Sequence, residues 1–261
     1  MTITPDPLKD QFFLTDEKII QKIIEAAELN KKDVVLEIGA GTGNLTKEIA
    51  KKVDHVIAFE IDEQFKSTLN SLPRNVELHI ESASNYVELN GKWRKKKEYN
   101  KVVSNPPYSF IEPFLHNLTF LDYDKVILVV PKKTLKTIKT SGIFSSFFEA
   151  KVLFDVPKES FNPIPNTNSV VIDLIKLSDP VESKNMTLFL RQYIYQHERQ
   201  LVKNSLMEGI IKYKKKIEGK FFTKNEARKI IKDSGINEKL LEKEPDTPEI
   251  YSKVTEKFKS N

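Results

Sequence analysis

Asn105, Pro106 and Tyr108 stand in the stretch VVSNPPYSF, residues 102–110, and together could orient a flat amine. An amino group on an aromatic ring is a poor nucleophile because its lone pair is shared with the ring. A site that accepts hydrogen bonds from the amino hydrogens draws that nitrogen toward a pyramidal, more reactive form. The Asn105 side-chain oxygen and the Pro106 carbonyl are suitable acceptors, and proline has no N–H to compete. The Tyr108 ring can stack on the flat ring and hold it in line. The two prolines also end an apolar run sharply, since neither donates a backbone hydrogen bond and each fixes its own φ. Taken alone, the stretch reads equally as a stiff turn.

A second group of residues lies upstream. VVLEIGAGTGNLT (34–46) is an apolar run that breaks into Gly39, Gly41 and Gly43 before a helical pattern begins. Glycines at this point allow a tight turn and a close approach of backbone to ligand, with the helix N-terminus beyond. The spacing is G-x-G-x-G preceded by Glu37, not the G-x-G-x-x-G of dinucleotide sites. Three glycines alone also fit an ordinary strand-to-helix turn. Glu60 lies at the end of the next apolar run, HVIAFEI (55–61), and an acid at such a strand tip can accept both hydroxyls of a ribose. Asp62 is its neighbour and the substitute candidate; Glu60, the earlier of the two, is preferred. The pair points to a nucleoside ligand.

These residues need a sheet whose strands end on one side. Strand patterns fall at 34–38, 55–61, 76–80, 101–104, 125–130, 150–156 and 169–177, with helical or mixed segments between the early ones. Alternation of this kind predicts crossover units and a mainly parallel sheet covered on both faces. Ahead of it, DEKIIQKIIEAAEL (16–29) carries Ile19, Ile20, Ile23, Ile24 and Ala27 at helical spacing behind the capping candidates Thr15 and Asp16. Past Asp179-Pro180 the β-branched runs stop and several helices are expected. The boundary is placed near 178–184, giving domains 1–180 and 181–261.

At 261 residues, 39% hydrophobic and 30% charged, the chain is of the soluble globular class. It has no cysteine, so disulfides and thiolate metal sites are excluded, which fits a reducing cytoplasm. No signal-peptide pattern opens the chain and no apolar run is long enough to span a membrane. Residues 1–180 carry 24 Lys+Arg against 25 Asp+Glu, and residues 181–261 carry 18 against 12. A tail of net +6 on a near-neutral body suits a polyanion such as nucleic acid, with Arg191, Arg199 and Lys203 at helical spacing in one segment. A solvated lysine-rich surface is the other reading. The run KWRKKKEY (92–99) is read first as a solvated loop and second as an RNA contact.

The glycine turn with Glu60 resembles the nucleotide-binding turn of S-adenosylmethionine-dependent methyltransferases. N-P-P-Y resembles amino-group methyltransferases acting on adenine, cytosine or protein glutamine. Two further stretches narrow this. DQFFLTDEKIIQKII (10–24) resembles the G-Q-[NH]-F-L-x-D segment of the ribosomal RNA adenine dimethyltransferases, with Gln11, Phe13, Leu14 and Asp16 matching. VPKESFNPIPNTNSVVIDL (156–174) is similar to that family's V-P-x-x-x-F-x-P-x-P-x-V-x-S-x-V run, with Phe161, Pro163, Pro165 and Ser169 in register. FLRQYIYQHERQLVKNSL (189–206) is like its C-terminal F-x-x-x-F-x-x-R-x-K-x-x-x-N-x-L. The likeness spans about 10–206 in one order and leans toward the small-subunit enzymes over the erythromycin-resistance enzymes.

That resemblance implies an α/β fold, a Rossmann-like S-adenosylmethionine-dependent methyltransferase sheet with a small C-terminal helical domain. Residues 1–180 would form the methyltransferase domain with its helical lead-in, and 181–261 a basic, RNA-contacting domain. The implied reaction transfers methyl groups from S-adenosylmethionine to the exocyclic amino group of adenine in ribosomal RNA, in the small subunit during assembly. Alternatives are a non-catalytic RNA-binding assembly factor on the same fold, or an amino-group methyltransferase with another RNA, DNA or protein target. Gln11, Phe12, Leu14, Gly39, Gly41, Glu60, Ser82 and Asn105 would contact the cofactor. Asn105, Pro106 and Tyr108 would serve the target base, and Phe161 would stack on its other face unless it is a core aromatic. No metal is needed. The expected partner is ribosomal RNA or a small-subunit precursor, and the expected protein is a cytoplasmic monomer with no membrane attachment.

Three departures from the family pattern stand out. ESA (81–83) replaces G-D-A, so Ser82 occupies the position of an acid that bonds the cofactor adenine, and weaker cofactor binding is expected. The family's basic, glycine-containing segment after the fifth strand is replaced by the shorter PKKTLKTIKTSGIFSSFFEA. Asp10 stands for the glycine of G-Q-x-F-L, without the usual basic residues before it.

Overall fold

The structure is a computed structural model that describes residues 11–83, 98–119, 123–140, 144–177, 184–197, 200–245 and 254–258. Asp10, Arg199, most of the 92–99 run and the 178–183 junction lie outside the described residues. Two compact units make up the chain: Met1–Thr137 with Ala150–Ile175, and Ile138–Glu149 with Lys176–Asn261.

In the first unit a short strand β1 (Phe13–Leu14) leads into α1 (Glu17–Ala26). Asp16 caps α1 by accepting from the Lys18 and Ile19 N–H groups at 3.0 and 3.2 Å, which satisfies donors the first helical turn leaves free. The sheet strands are β2 (Val34–Ile38), β3 (His55–Glu60), β4 (Val76–Ile80), β5 (Lys101–Ser104), β6 (Lys125–Pro131), β7 (Phe148–Val156) and β9 (Ser169–Lys176); β8 (Phe161–Asn162) stands apart. Helices α2 (Asn44–Lys52), α3 (Lys66–Leu69), α4 (Tyr108–Leu118) and α5 (Lys132–Thr140) connect them. The seven strands lie in the order β4-β3-β2-β5-β6-β9-β7. The first five pair in parallel, and β9 runs antiparallel to β6.

The parallel core is buried on both faces, which is why its strands read as unbroken apolar runs. Val35, Val56, Val103 and Ile127 join one cluster with Ile19, Ile20, Ile23 and Ile24 of α1. Their strand neighbours Leu36, Ile57, Val102 and Leu128 are buried as well. At the opposite end of the strands from Glu60, Lys101 is clamped by Asp33 at 3.0 Å and by the Glu28 carbonyl at 2.6 Å. This ion pair ties the end of α1 to the base of the sheet.

β1 and β8 form a two-stranded antiparallel ribbon, with Phe13 opposite Asn162 and Leu14 opposite Phe161. The Ser160 carbonyl accepts from the Thr15 and Asp16 N–H groups at 2.9 and 3.3 Å, and the Ser160 hydroxyl donates to Asp16 at 3.2 Å. Two distant stretches that carried the family likeness, with bonded residues at least 144 positions apart, are thus side by side.

In the second unit α6 (Phe144–Phe147) precedes α7 (Met186–Gln196), α8 (Val202–Lys216), α9 (Lys224–Asp233) and α10 (Glu238–Leu241). Phe189, Leu190, Ile194, Leu206 and Ile210 are fully buried between α7 and α8. Gly209 permits this approach, because a Cβ there would stand 3.0 Å from a Leu190 methyl group. The segment 138–149, which runs into the first residues of β7, groups with this unit.

Candidate active site

The sheet order reverses between β2 and β5, and in parallel sheets ligands bind in the crevice outside such a point. Here the β2–β5 register runs only to Leu36 opposite Val102. Beyond it the Ser104 hydroxyl spans the gap, donating to the Ile38 carbonyl at 2.6 Å and accepting the Ile38 N–H at 3.3 Å. β2 therefore delivers the glycine turn, and β5 delivers Asn105, to one side of the opening.

Gly39 and Gly41 have φ of +78° and +54°, a region costly for any side chain. A Cβ on Gly39 would stand 3.0 Å from Pro107 Cδ, and one on Gly41 would stand 2.6 Å from the Phe13 ring. The turn is thus held between the proline loop and the N-terminal segment. The Gly39 and Ala40 N–H groups donate to the Phe59 carbonyl at 2.8 and 2.9 Å. Glu60 accepts from the Gly41 N–H at 2.8 Å and from the Asp62 N–H at 2.9 Å, one per carboxylate oxygen. Burial raises its pKa and the Asp62 charge adds to this, while the backbone donors oppose it. Each oxygen keeps a further lone pair. Asp62 is committed elsewhere, accepting from Gln11 Nε2 at 2.8 Å and Gln64 Nε2 at 2.9 Å.

Asn105 Nδ2 donates to the Phe12 carbonyl at 3.1 Å. A carbonyl partner dictates which end of the amide faces it, so Oδ1 is turned the other way. That oxygen is buried and has no hydrogen-bond partner. Buried acceptors are nearly always paired, which marks this one as awaiting a donor. The Phe12 ring stacks on Tyr108 with centroids 5.5 Å apart and planes 25° apart. The Tyr108 hydroxyl sits 3.4 Å from Ser169 Oγ. Pro106 is buried, and the chain enters α4 directly after Pro107.

The sequence candidates Gln11, Phe12, Gly39, Gly41, Glu60, Asn105 and Tyr108 are therefore linked by a chain of direct contacts. Leu14 and Phe161 differ from them: they are 4% and 2% exposed and belong to the core beneath. The Leu14 carbonyl accepts from Asn44 Nδ2 at 3.0 Å, at the start of α2. Phe161 presents no ring face to solvent in this arrangement. Ser82 is half-buried two residues past β4.

Two residues given no role by the sequence reading lie at the same place. Glu37 is fully buried, and burial pushes its carboxyl up to about 8, with the charge of Glu60 adding to the effect. The Thr46 hydroxyl beside it opposes this as a hydrogen-bond donor, but weakly, since neither Thr46 Oγ1 nor Glu37 Oε2 is closely paired. Ile61, directly after Glu60, is 67% exposed. An apolar residue between two acids at a strand tip was the available signal.

The basic residues picked out in the tail are largely engaged. Arg191 Nε donates to Thr255 Oγ1 at 2.7 Å, and partial burial lowers its pKa. Lys203 binds both oxygens of Glu242, at 2.8 and 2.7 Å. Among the described residues, no group of three or more His, Cys, Asp or Glu could hold a metal ion, and no helix is long and apolar enough to cross a membrane.

The family model for ribosomal RNA adenine dimethylase matches residues 9–237. A relative named ribosomal RNA small subunit methyltransferase A, from Thermotoga maritima, is 35% identical over 210 residues, covering 75% of this chain and 72% of its own. One from Methanosarcina barkeri, named probable ribosomal RNA small subunit methyltransferase A, is 32% identical over 212 residues, covering 76% and 71%. A dimethyladenosine transferase structure from Plasmodium falciparum shares the fold at a TM-score of 0.59 and 22% identity, covering 93% of this chain and 95% of that one.

Proposed function

The chain belongs to the ribosomal RNA adenine dimethylase family, and we propose that it transfers methyl groups from S-adenosylmethionine to the exocyclic amino group of adenine in ribosomal RNA. The small subunit, during its assembly in the cytoplasm, is the substrate we infer. The observation that carries this reading is the buried, unpartnered Asn105 Oδ1 beside the Tyr108 ring. An amino group entering there would satisfy an acceptor that nothing else reaches.

The residues present suit the cofactor. Glu60 keeps lone pairs for ribose hydroxyls, Ile61 offers apolar surface to an adenine, and Gly39 and Gly41 keep the turn free of side chains. Bound S-adenosylmethionine supplies an electrophilic methyl group on a positively charged sulfur. The chain's own part is orientation. Asn105 Oδ1 and the Pro106 carbonyl accept from the target amino hydrogens and leave the nitrogen lone pair exposed, while Tyr108 holds the ring. Phe12 backs one face of the Tyr108 ring, leaving the other for the base, and Phe161 is enclosed in the core.

The test is methyl incorporation from labelled S-adenosylmethionine into small-subunit particles that lack the modification, followed by nucleoside analysis. Dimethyladenosine is the expected product. Cofactor and particle binding without any transfer would overturn the enzymatic reading in favour of an assembly factor.

A further inference from the structure

Residues 212–229 carry eight Lys and Arg against two Glu, so this stretch alone accounts for the whole +6 of residues 181–261. Its two acids are both spent locally. Glu218 accepts from Lys214 at 2.6 Å and Lys220 at 3.1 Å. Glu226 closes a capping box with Thr223 at the start of α9. Lys215, Lys216, Lys224 and Lys229 are exposed and form no ion pair among the described residues. They contrast with Arg191 and Lys203, which are held internally.

Amid these charges, on the turn from α8 to α9, Phe221 is 85% exposed. The turn is defined rather than loose: Gly219 adopts φ +67° and the Lys220 N–H donates to the Lys214 carbonyl at 2.9 Å. Lys214 lies 5.7 Å over the ring of Phe222, which is only partly exposed. Phe221 is the one exposed large hydrophobic of the second unit among the described residues. One exposed ring beside the partly exposed Phe222 is too small for a protein docking patch, which needs a contiguous apolar area. A nucleotide offers what this place lacks: a flat face for the ring and a phosphate for the lysines.

We propose that the α8–α9 turn is a single-stranded RNA subsite in which an unpaired base stacks on Phe221 while Lys215, Lys216 and Lys224 hold the flanking phosphates. This inference rests on the ribosomal RNA reading and adds a named contact class to it. Stacking tolerates any base, because every base has a π-face, so the subsite would contribute affinity and register rather than sequence choice.

The experiment compares full-length wild type, Phe221→Ala, Phe221→Trp and the Lys215→Ala/Lys216→Ala pair on a labelled mixed-sequence RNA of about 12 nucleotides, its duplex form, and small-subunit particles lacking the modification. Phe221→Ala should weaken single-strand binding roughly 5- to 150-fold, with a much smaller effect on the duplex and an unchanged salt slope. Phe221→Trp should restore binding. The lysine pair should lower the salt slope on single strands by about 1.4. Wild-type single-strand affinity in Phe221→Ala would overturn the subsite, as would failure of Phe221→Trp to rescue. Loss of particle binding with intact oligonucleotide binding would assign Phe221 to a protein partner instead. Absence of all RNA binding by wild type would overturn the ribosomal RNA reading itself.

Discussion

Asn105 and Phe12 are joined by a 3.1 Å hydrogen bond from the side-chain amide to a backbone carbonyl, and this bond decides the orientation of the Asn105 amide oxygen. With Nδ2 committed, Oδ1 is buried without a partner of its own, and in the proposed mechanism it receives the target amino group. Asn105→Ala should therefore cost on the order of 100- to 1,000-fold in methyl transfer, the loss typical for one preorganised polar contact. Cofactor and particle affinity should largely persist. Single-turnover methyl incorporation measures the first, and calorimetry the second. A near-normal transfer rate in Asn105→Ala would remove Asn105 from the mechanism.

The Phe12 and Tyr108 rings, stacked at 5.5 Å, make a second prediction. Tyr108→Ala should slow transfer strongly, whereas Tyr108→Phe should be milder because stacking needs the ring and not the hydroxyl. Phe12→Ala should also slow transfer, since the ring now facing Tyr108 would be gone. Phe161→Ala should instead act through stability, by about 3–5 kcal/mol as for a buried aromatic. Chemical denaturation alongside kinetics separates these outcomes.

The fold was legible because its central strands β2, β5 and β6 are buried on both faces and read as apolar runs closed by glycine or proline, with the flanking strands spaced between helical patterns. The expected strands at 34–38, 76–80 and 101–104 match to the residue. The glycine turn and Asn105 were legible for the same reason, as each breaks such a run. Asp16 as a helix cap was visible from its side chain and position. Other features were hidden because they depend on partners distant in sequence. Nothing local says that Arg191 meets Thr255 or that Lys203 meets Glu242, so their charge read as available. From sequence, Phe161 beside its prolines read either as a base-stacking ring or as a core aromatic; opposite Leu14 in the structure it is buried in the core. The exposure of Phe221 and Ile61 is likewise a property of the folded surface.

Glu60 accepts two backbone N–H groups, so its removal has two effects. Glu60→Ala should weaken S-adenosylmethionine binding by about 1.5–3 kcal/mol, the usual worth of a hydrogen bond to a charged group. It should also lower stability, because the Gly41 and Asp62 donors lose their acceptor. Calorimetry on the folded variant reads the first effect and urea unfolding the second. Unchanged cofactor affinity would reassign the ribose contact.

Glu37 gives the protein a pH dependence of stability with a definite sign. Its carboxyl is raised from 4.5 to about 8 in the folded state, so between those values the folded protein holds a proton that the unfolded chain has released. Stability must then fall as pH rises from about 4.5 toward about 8, and level off above. Glu37→Gln keeps the shape and removes the charge, so it should flatten that slope and be stabilising at the alkaline end. Urea midpoints for both proteins across this range provide the check; parallel slopes would rule Glu37 out as the source.

Ser82 offers the most direct test of how this chain departs from its family. It stands where the family pattern has an acid for the cofactor adenine, two residues past β4, which pairs with β3 beside the Glu60 tip. A serine oxygen can accept from an amino group, but without the charge that makes such a bond roughly twice as strong. Ser82→Asp should therefore tighten S-adenosylmethionine binding, on the order of fivefold to tenfold for a gain of about 1 kcal/mol. The direction is not trivial, because Glu60 and Asp62 already place negative charge around the crevice. If repulsion dominates, the variant will bind more weakly and its Glu60 carboxyl will rise further. Cofactor affinity measured by calorimetry for wild type and Ser82→Asp decides between them. Tighter binding assigns position 82 to the adenine, and weaker binding in a folded variant whose Glu60 carboxyl has not risen removes position 82 from the adenine contact.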